Sequence, residues 1–315
     1  MRIGGLAVAI VLAIAAFGWA APLDPKVVSG EATWVVHLDV DAMRDSSLVR
    51  TVYQEFVDKC PLAKVALPAL DAARAQIGFD PRTDLHGLTL YGSQVGKEEG
   101  VLIVFADANQ KMLTEKVKNA PGYKSETHGA YELHSWTHKD RRGERPVTGA
   151  FFKDKAAVFS GSPEEVKAAL DVMDGKKPGS TSEVLAAVVP AGATVLVRAV
   201  GIDQTPCDSK LAKEIESFSI ASGENAGQSF FHGKVVAKSP QVAKEMAKVA
   251  KGLQGLGNLH AIDQPQCKPL VKNMKVKVEG STLTVDNTAP ADVLWKHMQT
   301  EIKNAIEKHQ KSGKK

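Results

Sequence analysis

Runs of alternating apolar and polar residues, separated by stretches with helical spacing, divide the chain into strands and helices. Ala32-Thr33-Trp34-Val35-Val36-His37 is β-branched and aromatic, follows Gly30, and predicts a strand. Its counterpart is Ala193-Thr194-Val195-Leu196-Val197-Arg198, 161 residues later. Residues 87–107 (GLTLYGSQVGKEEGVLIVFAD) and 217–237 (SFSIASGENAGQSFFHGKVVA) each read as strand, Gly-containing turn, strand, at an offset of 130. A helix follows each hairpin, over Gln110–Asn119 and Pro240–Gly252. Gly252, Gly255 and Gly257 then read as the cap and loop that end the second of these. A third match, at an offset of 126, joins Thr148–Ser160 to Met274–Asp286, hairpins turning at Lys153-Asp154-Lys155 and Glu279-Gly280-Ser281. Each leads to a helix start with Pro and acidic residues, Ser162-Pro163-Glu164-Glu165 and Thr288-Ala289-Pro290-Ala291-Asp292.

Three matches in the same order define an internal repeat. The fold class is therefore α+β: two degenerate tandem copies of a strand–hairpin–helix–hairpin–helix unit, an antiparallel sheet with helices covering one face. The expected bounds are 21–175 for the first copy, a 176–182 linker of Lys, Pro, Gly and Ser, and 183–302 for the second. The drop in offset from 161 to 130 places an insertion near 46–76 of the first copy, read as two helices broken at Pro61 and bent at Pro68. Val49, Tyr53 and Phe56, then Leu62, Val65, Leu67 and Leu70, form apolar stripes suited to packing on the sheet. Whether the copies share one sheet is open at this point.

The first twenty residues stand outside the repeat. Arg2, an apolar run from Ile3 to Phe17 and the small residues Gly18 and Ala20 make a secretory signal peptide cut after Ala20, with an uncleaved anchor as the alternative. The expected location is periplasmic or extracellular. With 43% hydrophobic and 24% charged residues, the rest is neither collagenous, wholly disordered nor polytopic in a membrane. The formal charge of +4 comes from Arg2 and from five lysines against Glu307 in the basic tail, 303–315. The body is close to neutral and offers no field for nucleic acid. Membrane contact would rest on an uncleaved leader or on that tail.

Export would put the three cysteines in an oxidising setting. Cys207 and Cys267 lie in Pro-containing segments and are expected to pair, closing a loop of about 61 residues for about 4 kcal/mol. Cys60 ends the stripe of Val49, Tyr53 and Phe56 and reads as a buried thiol.

No nucleotide-binding glycine loop, HExxH, GxSxG or CxxC occurs, and no cofactor is implied. The densest chemistry is His128, Ala130, Glu132, His134, Trp136 and His138, alternate positions on one strand face. Glu132, His134 and His138 are candidate metal ligands, but i and i+2 stand about 6.7 Å apart and i and i+4 about 13 Å, so one ion requires a bent strand. His128-Gly129 reads as a turn that takes His128 off the line. The plain expectation is a solvated sheet face; the functional one makes His134 and Trp136 the lining of a ligand groove. Arg141 and Arg142, with Arg145, are candidate anion ligands in the mixed-charge turn 139–145. Asp39 and Asp41 read as cap and turn residues after the first strand, and Asp45 as the cap of the inserted helices.

The stretch Thr33–Leu48 (TWVVHLDVDAMRDSSL), close behind the leader, resembles the opening of uncharacterised exported bacterial proteins with recurring α+β units. That resemblance implies export and the fold, and supplies no activity. The functional expectation is an exported, non-enzymatic binding or scaffold protein of the bacterial envelope, contacting a protein, peptide or glycan. Its rival is a metal-binding protein or metal-dependent enzyme using the histidine-rich strand.

Overall fold

The two copies join through their first strands. A computed structural model, which describes residues 22–59, 63–95, 99–140, 143–204 and 209–300, places β1 (Trp34–Asp39) antiparallel to β8 (Ala193–Val200). Val36 pairs with Val197, its own counterpart at the 161-residue offset. Val35 pairs with Arg198 and His37 with Leu196, the same pair read from the other copy. A local two-fold axis thus passes through the Val36–Val197 pair. Both copies belong to one antiparallel sheet of twelve strands among the described residues.

From this seam the copies add strands in the same order. On one side come β2 (Leu85–Gly92), β3 (Val101–Ala106), β7 (Ala156–Ser160) and β6 (Gly143–Phe152). On the other come β9 (Ile215–Asn225), β10 (Gln228–Ala237), β12 (Thr282–Pro290) and β11 (Lys275–Glu279). Among the described residues only the first copy goes further, with β5 (Tyr131–Asp140) and β4 (Lys124–His128) at the edge.

Helices lie on both faces rather than one. On β1 the residues Val35, His37 and Asp39 are buried, and their face carries the main core. There the helix Pro163–Met173, capped by Ser162, sets Val166 and Leu170 against Ile103, Leu133 and Val158. On the opposite face, the helix Val40–Asp45 (α1) buries Val40 and Met43 against Leu38, Leu85 and Val195. Side chains alternate across a strand, so a sheet this wide presents two apolar faces and each needs a cover.

The inserted helices, α2 (Ser47–Lys59) and α3 (Ala63–Ile77), depart from the expected packing on the sheet. Their main contacts are with α1, with each other and with the helix α4 (Gln110–Lys118). Val65 remains 72% exposed. The cap of α2 is also reassigned. Ser46 Oγ, not Asp45, accepts from Val49 N at 3.1 Å. The helix that follows Ser162 is α5 (Pro163–Met173). In the second copy α6 (Pro240–Asp263) runs through Gly252, Gly255 and Gly257, which were expected to end it. Gly257 earns its place by packing: a Cβ there would lie 2.6 Å from Val271 Cγ1, on the short helix α7 (Lys268–Lys272).

The expected Cys207–Cys267 disulfide is overturned. Cys267 is a buried thiol, 3.2 Å from His297 Nδ1, on a tight turn tucked against α6. Cys207 and Cys60 lie outside the described residues, as do the leader, the 303–315 tail, Pro61, Arg141 and Arg142.

A carboxylate fastens the insertion of copy one to copy two. Glu224 on β9 accepts from Ser46 Oγ (2.8 Å), Ser47 Oγ (2.6 Å), Ser47 N (3.1 Å) and Leu48 N (2.9 Å) at the start of α2. Burial would raise its pKa, but these bonds, with the helix N-terminus, hold it below the ordinary glutamate value. A glutamate with a depressed folded pKa stabilises fully above its unfolded value of about 4.3 and loses that stabilisation as pH falls through the folded value. Glu224→Gln is therefore expected to cost about 2 kcal/mol in urea unfolding at pH 7. The penalty should shrink as pH drops below about 4, and an equal penalty at pH 7 and pH 3 would count against a charged anchor.

Candidate functional site

Gly129, with φ at +60°, turns the chain between β4 and β5, as the His128-Gly129 pair predicts. His128 leaves the line of His134 and His138 and bonds Asp171 of α5, Nε2 to Oδ1 at 2.9 Å. On β5, His134 is buried, Trp136 is half-buried, and Glu132 and His138 are exposed. His138 sits opposite Arg145 on β6. Glu132, His134 and His138 are not among the described side chains whose ligand atoms converge; that cluster is in the second copy. In the 139–145 turn Lys139 meets Glu144 at 3.0 Å and Arg145 meets Asp140, so the described charges there compensate one another.

His134 and Trp136 do meet in one place. They line a cavity of about 260 Å³ between α4 and the face of β3, β5, β6 and β7 opposite the main core. Val104 and Phe159 form its floor, Leu113 and Val117 of α4 its roof, and Phe79 contributes from the segment after α3. Asn109 caps α4 by accepting from Met112 N at 3.0 Å, but none of the helix's residues is fully buried. The roof is therefore held by few apolar contacts, which marks an element of low local stability.

Two features of the sheet open the space. Gly149 lies opposite His134, and a Cβ there would come within 2.7 Å of the Phe159 ring. Glycine in a strand interior signals such a close approach, and Gly149 is where the sequence carries it. Ala157 and Ala106 keep the neighbouring positions small.

His134 marks the polar end. Its Nδ1 shares a 3.0 Å hydrogen bond with Tyr123 Oη, and the two rings stack with centroids 6.0 Å apart. Burial lowers the imidazole pKa, against Glu132, which raises it. Beyond His134 the cavity gives onto a polar groove of about 600 Å³ lined by Lys111, Glu115, Lys118, Glu132 and Lys153. The arrangement is an apolar chamber with one neutral imidazole at its mouth and charges of both signs outside.

The acidic pair after β1 has a different use. Asp39 Oδ1 accepts from Ala42 N at 2.8 Å and caps α1. Asp41 is buried against Arg44, and His86 Nδ1 lies 3.0 Å from it while His86 Nε2 faces Asp107 at 3.2 Å. Burial pushes the Asp41 carboxyl up, although His86 and Arg44 oppose it. Arg44 also donates to the carbonyls of Pro81 and Leu85, so this network rivets α1 to the start of β2.

No family model matches the chain, and no curated protein matches it. Among solved structures it is similar to TP0453 in crystal form I, with 13% identity, a TM-score of 0.45, and coverage of 89% of this chain and 98% of the other. Crystal form III of TP0453 gives 10% identity, a TM-score of 0.45, and coverage of 88% and 98%. This is a weak structural likeness of low identity and high coverage, and no site or activity follows from it.

The buried His134 sets a pH dependence with a definite sign. The unfolded chain protonates this residue near pH 6.5, and the folded chain at a lower pH. Stability therefore falls as pH drops through about 6.5 towards the folded value. His134→Phe is expected to lose less melting temperature than the wild type between pH 7.5 and pH 5. Coincident slopes in calorimetry would show that His134 does not titrate as a buried neutral group.

Proposed function

We propose that the protein is an exported, non-enzymatic binding protein whose ligand is a compact apolar molecule held between α4 and the sheet. The observation that carries this reading is the 260 Å³ chamber with its almost wholly apolar lining and its single imidazole. A cavity of about 150 Å³ accommodates benzene, so this chamber has room for a one- or two-ring group. Apolar walls with a few placed polar groups are the usual make-up of a small-molecule pocket. His134 would orient a hydroxyl or carbonyl of the ligand at the mouth, and the mixed charges of the outer groove set no preference for a charged headgroup.

Export rests on the leader pattern in residues 1–20. Among the described residues no helix is long and apolar enough to cross a membrane. An envelope location and a protein, peptide or glycan partner on other surfaces belong to the same proposal.

The test is a titration of the protein with 2-naphthol, following the emission of Trp136 by difference against Trp136→Phe. The expected result is saturable binding of one naphthol per chain, weakened at least 10-fold by Ala157→Phe, whose ring would occupy the chamber. That variant should also melt no lower than the wild type, since it fills a void. Equal naphthol affinity in wild type and Ala157→Phe, with both folded, would overturn the reading.

A further inference from the structure

The second copy holds a separate constellation. His260 lies in the last turn of α6, Cys267 ends the tight turn Pro265–Cys267, and His297 lies on the helix that begins at residue 291. One ligand atom from each falls within 4.8 Å of the others. The Cys267 sulfur is buried and stands 3.2 Å from His297 Nδ1. The imidazoles of His260 and His297 meet edge to face, with centroids 6.0 Å apart and planes at 66°. Gln264 Oε1 lies 3.7 Å from the same sulfur.

This convergence is built by the backbone. Gly257 leaves room for Val271 to press against α6, and Gln254 Nε2 donates to the carbonyls of Val271 and Met274. Those contacts fold the 265–272 segment back along the helix. Cys267 is thereby returned to the level of His260, seven residues earlier in the chain.

We propose that His260, Cys267 and His297 form a zinc-binding site, with the fourth position taken by Gln264 Oε1 or water. Zn–S is about 2.3 Å and Zn–N about 2.0–2.1 Å, so ligand atoms of a tetrahedral site stand about 3.3–3.7 Å apart. The Cys267–His297 spacing of 3.2 Å falls just short of that range, a difference a small side-chain rotation takes up. His260 is exposed at a helix end, and its ligand atom stands at most about 1 Å beyond that range, within reach of a side-chain rotation. One thiolate with two imidazoles is a donor set of borderline softness that selects Zn²⁺ over Mg²⁺ or Ca²⁺. Binding deprotonates the thiol and releases its proton to solvent, and the metal replaces that proton in the buried site. The ion would tie three elements together and anchor the helix from residue 291, whose Trp295 Nε1 donates to Glu55 of α2 at 3.1 Å.

The experiment uses the full chain, untagged and reduced, titrated with Co²⁺ and then displaced by Zn²⁺. The expected spectrum has a thiolate-to-cobalt charge-transfer band and the strong visible bands of tetrahedral Co²⁺, at one ion per chain. Cys267→Ser should abolish the charge-transfer band and weaken Zn²⁺ by more than about 100-fold, beyond the 10–100-fold typical of losing an outer partner. His260→Gln, at an exposed position that folding does not need, should weaken Zn²⁺ at least 10-fold. His138→Gln should change nothing. Absence of the charge-transfer band in the wild type, or its survival in folded Cys267→Ser, would overturn the site, as would unchanged Zn²⁺ affinity in His260→Gln.

Discussion

The pairing of Val36 with Val197 is the constraint from which the rest of the sheet is laid out. A strand that meets its own repeat counterpart antiparallel, in register, generates a two-fold relation without any special contact. A slip of one residue would exchange the faces of the strand and take Val35 and Leu196, both fully buried, out of the main core. Once β1 and β8 are set, each hairpin adds on its own side, so the two copies grow outward in mirrored strand order.

Two buried polar side chains occupy equivalent places beside this seam. His37 Nδ1 reaches Thr89 Oγ1 at 2.9 Å, and its counterpart Arg198 donates to the carbonyls of Leu185, Ala187 and Val188. Burial lowers the Arg198 pKa, and the carbonyls offset the cost of taking its charge out of water. That arrangement also ties the segment after the linker over the sheet. Leu185 joins the main core as a result, beside Val28 and Leu196. A linker by composition thus continues into part of the cover over the main core.

The copies diverge in what covers them. In the first, a nine-residue helix spans the sheet loosely and leaves an apolar chamber beneath. In the second, a 24-residue helix lies against β10, β11 and β12 through Ala243 and Ala247, small residues that allow close approach. The extra length carries His260 to the turn that holds Cys267. Duplication has kept the sheet and varied the helices, so the chemistry falls in the positions where the repeats differ.

The order of elements along each copy, the hairpin turns and the Ser162 cap were legible in the sequence because each depends on neighbours a few residues away. The face shared by His134 and Trp136 was legible too, since a strand's two-residue period needs no tertiary information. Gly252, Gly255 and Gly257 misled, because local propensity disfavours a helix there and packing against Val271 overrides it. Cys267 misled for a related reason: spacing cannot show which side chain a turn will face, and it faces His297. By itself, then, the sequence determined the repeat and the α+β class, which are written in the order of strand-like and helix-like segments along the chain. The tertiary structure decided that the copies share one sheet, that an apolar chamber forms under α4, and that a thiol meets two imidazoles. Each of those depends on contacts between segments far apart in the chain, whose closeness no local pattern encodes.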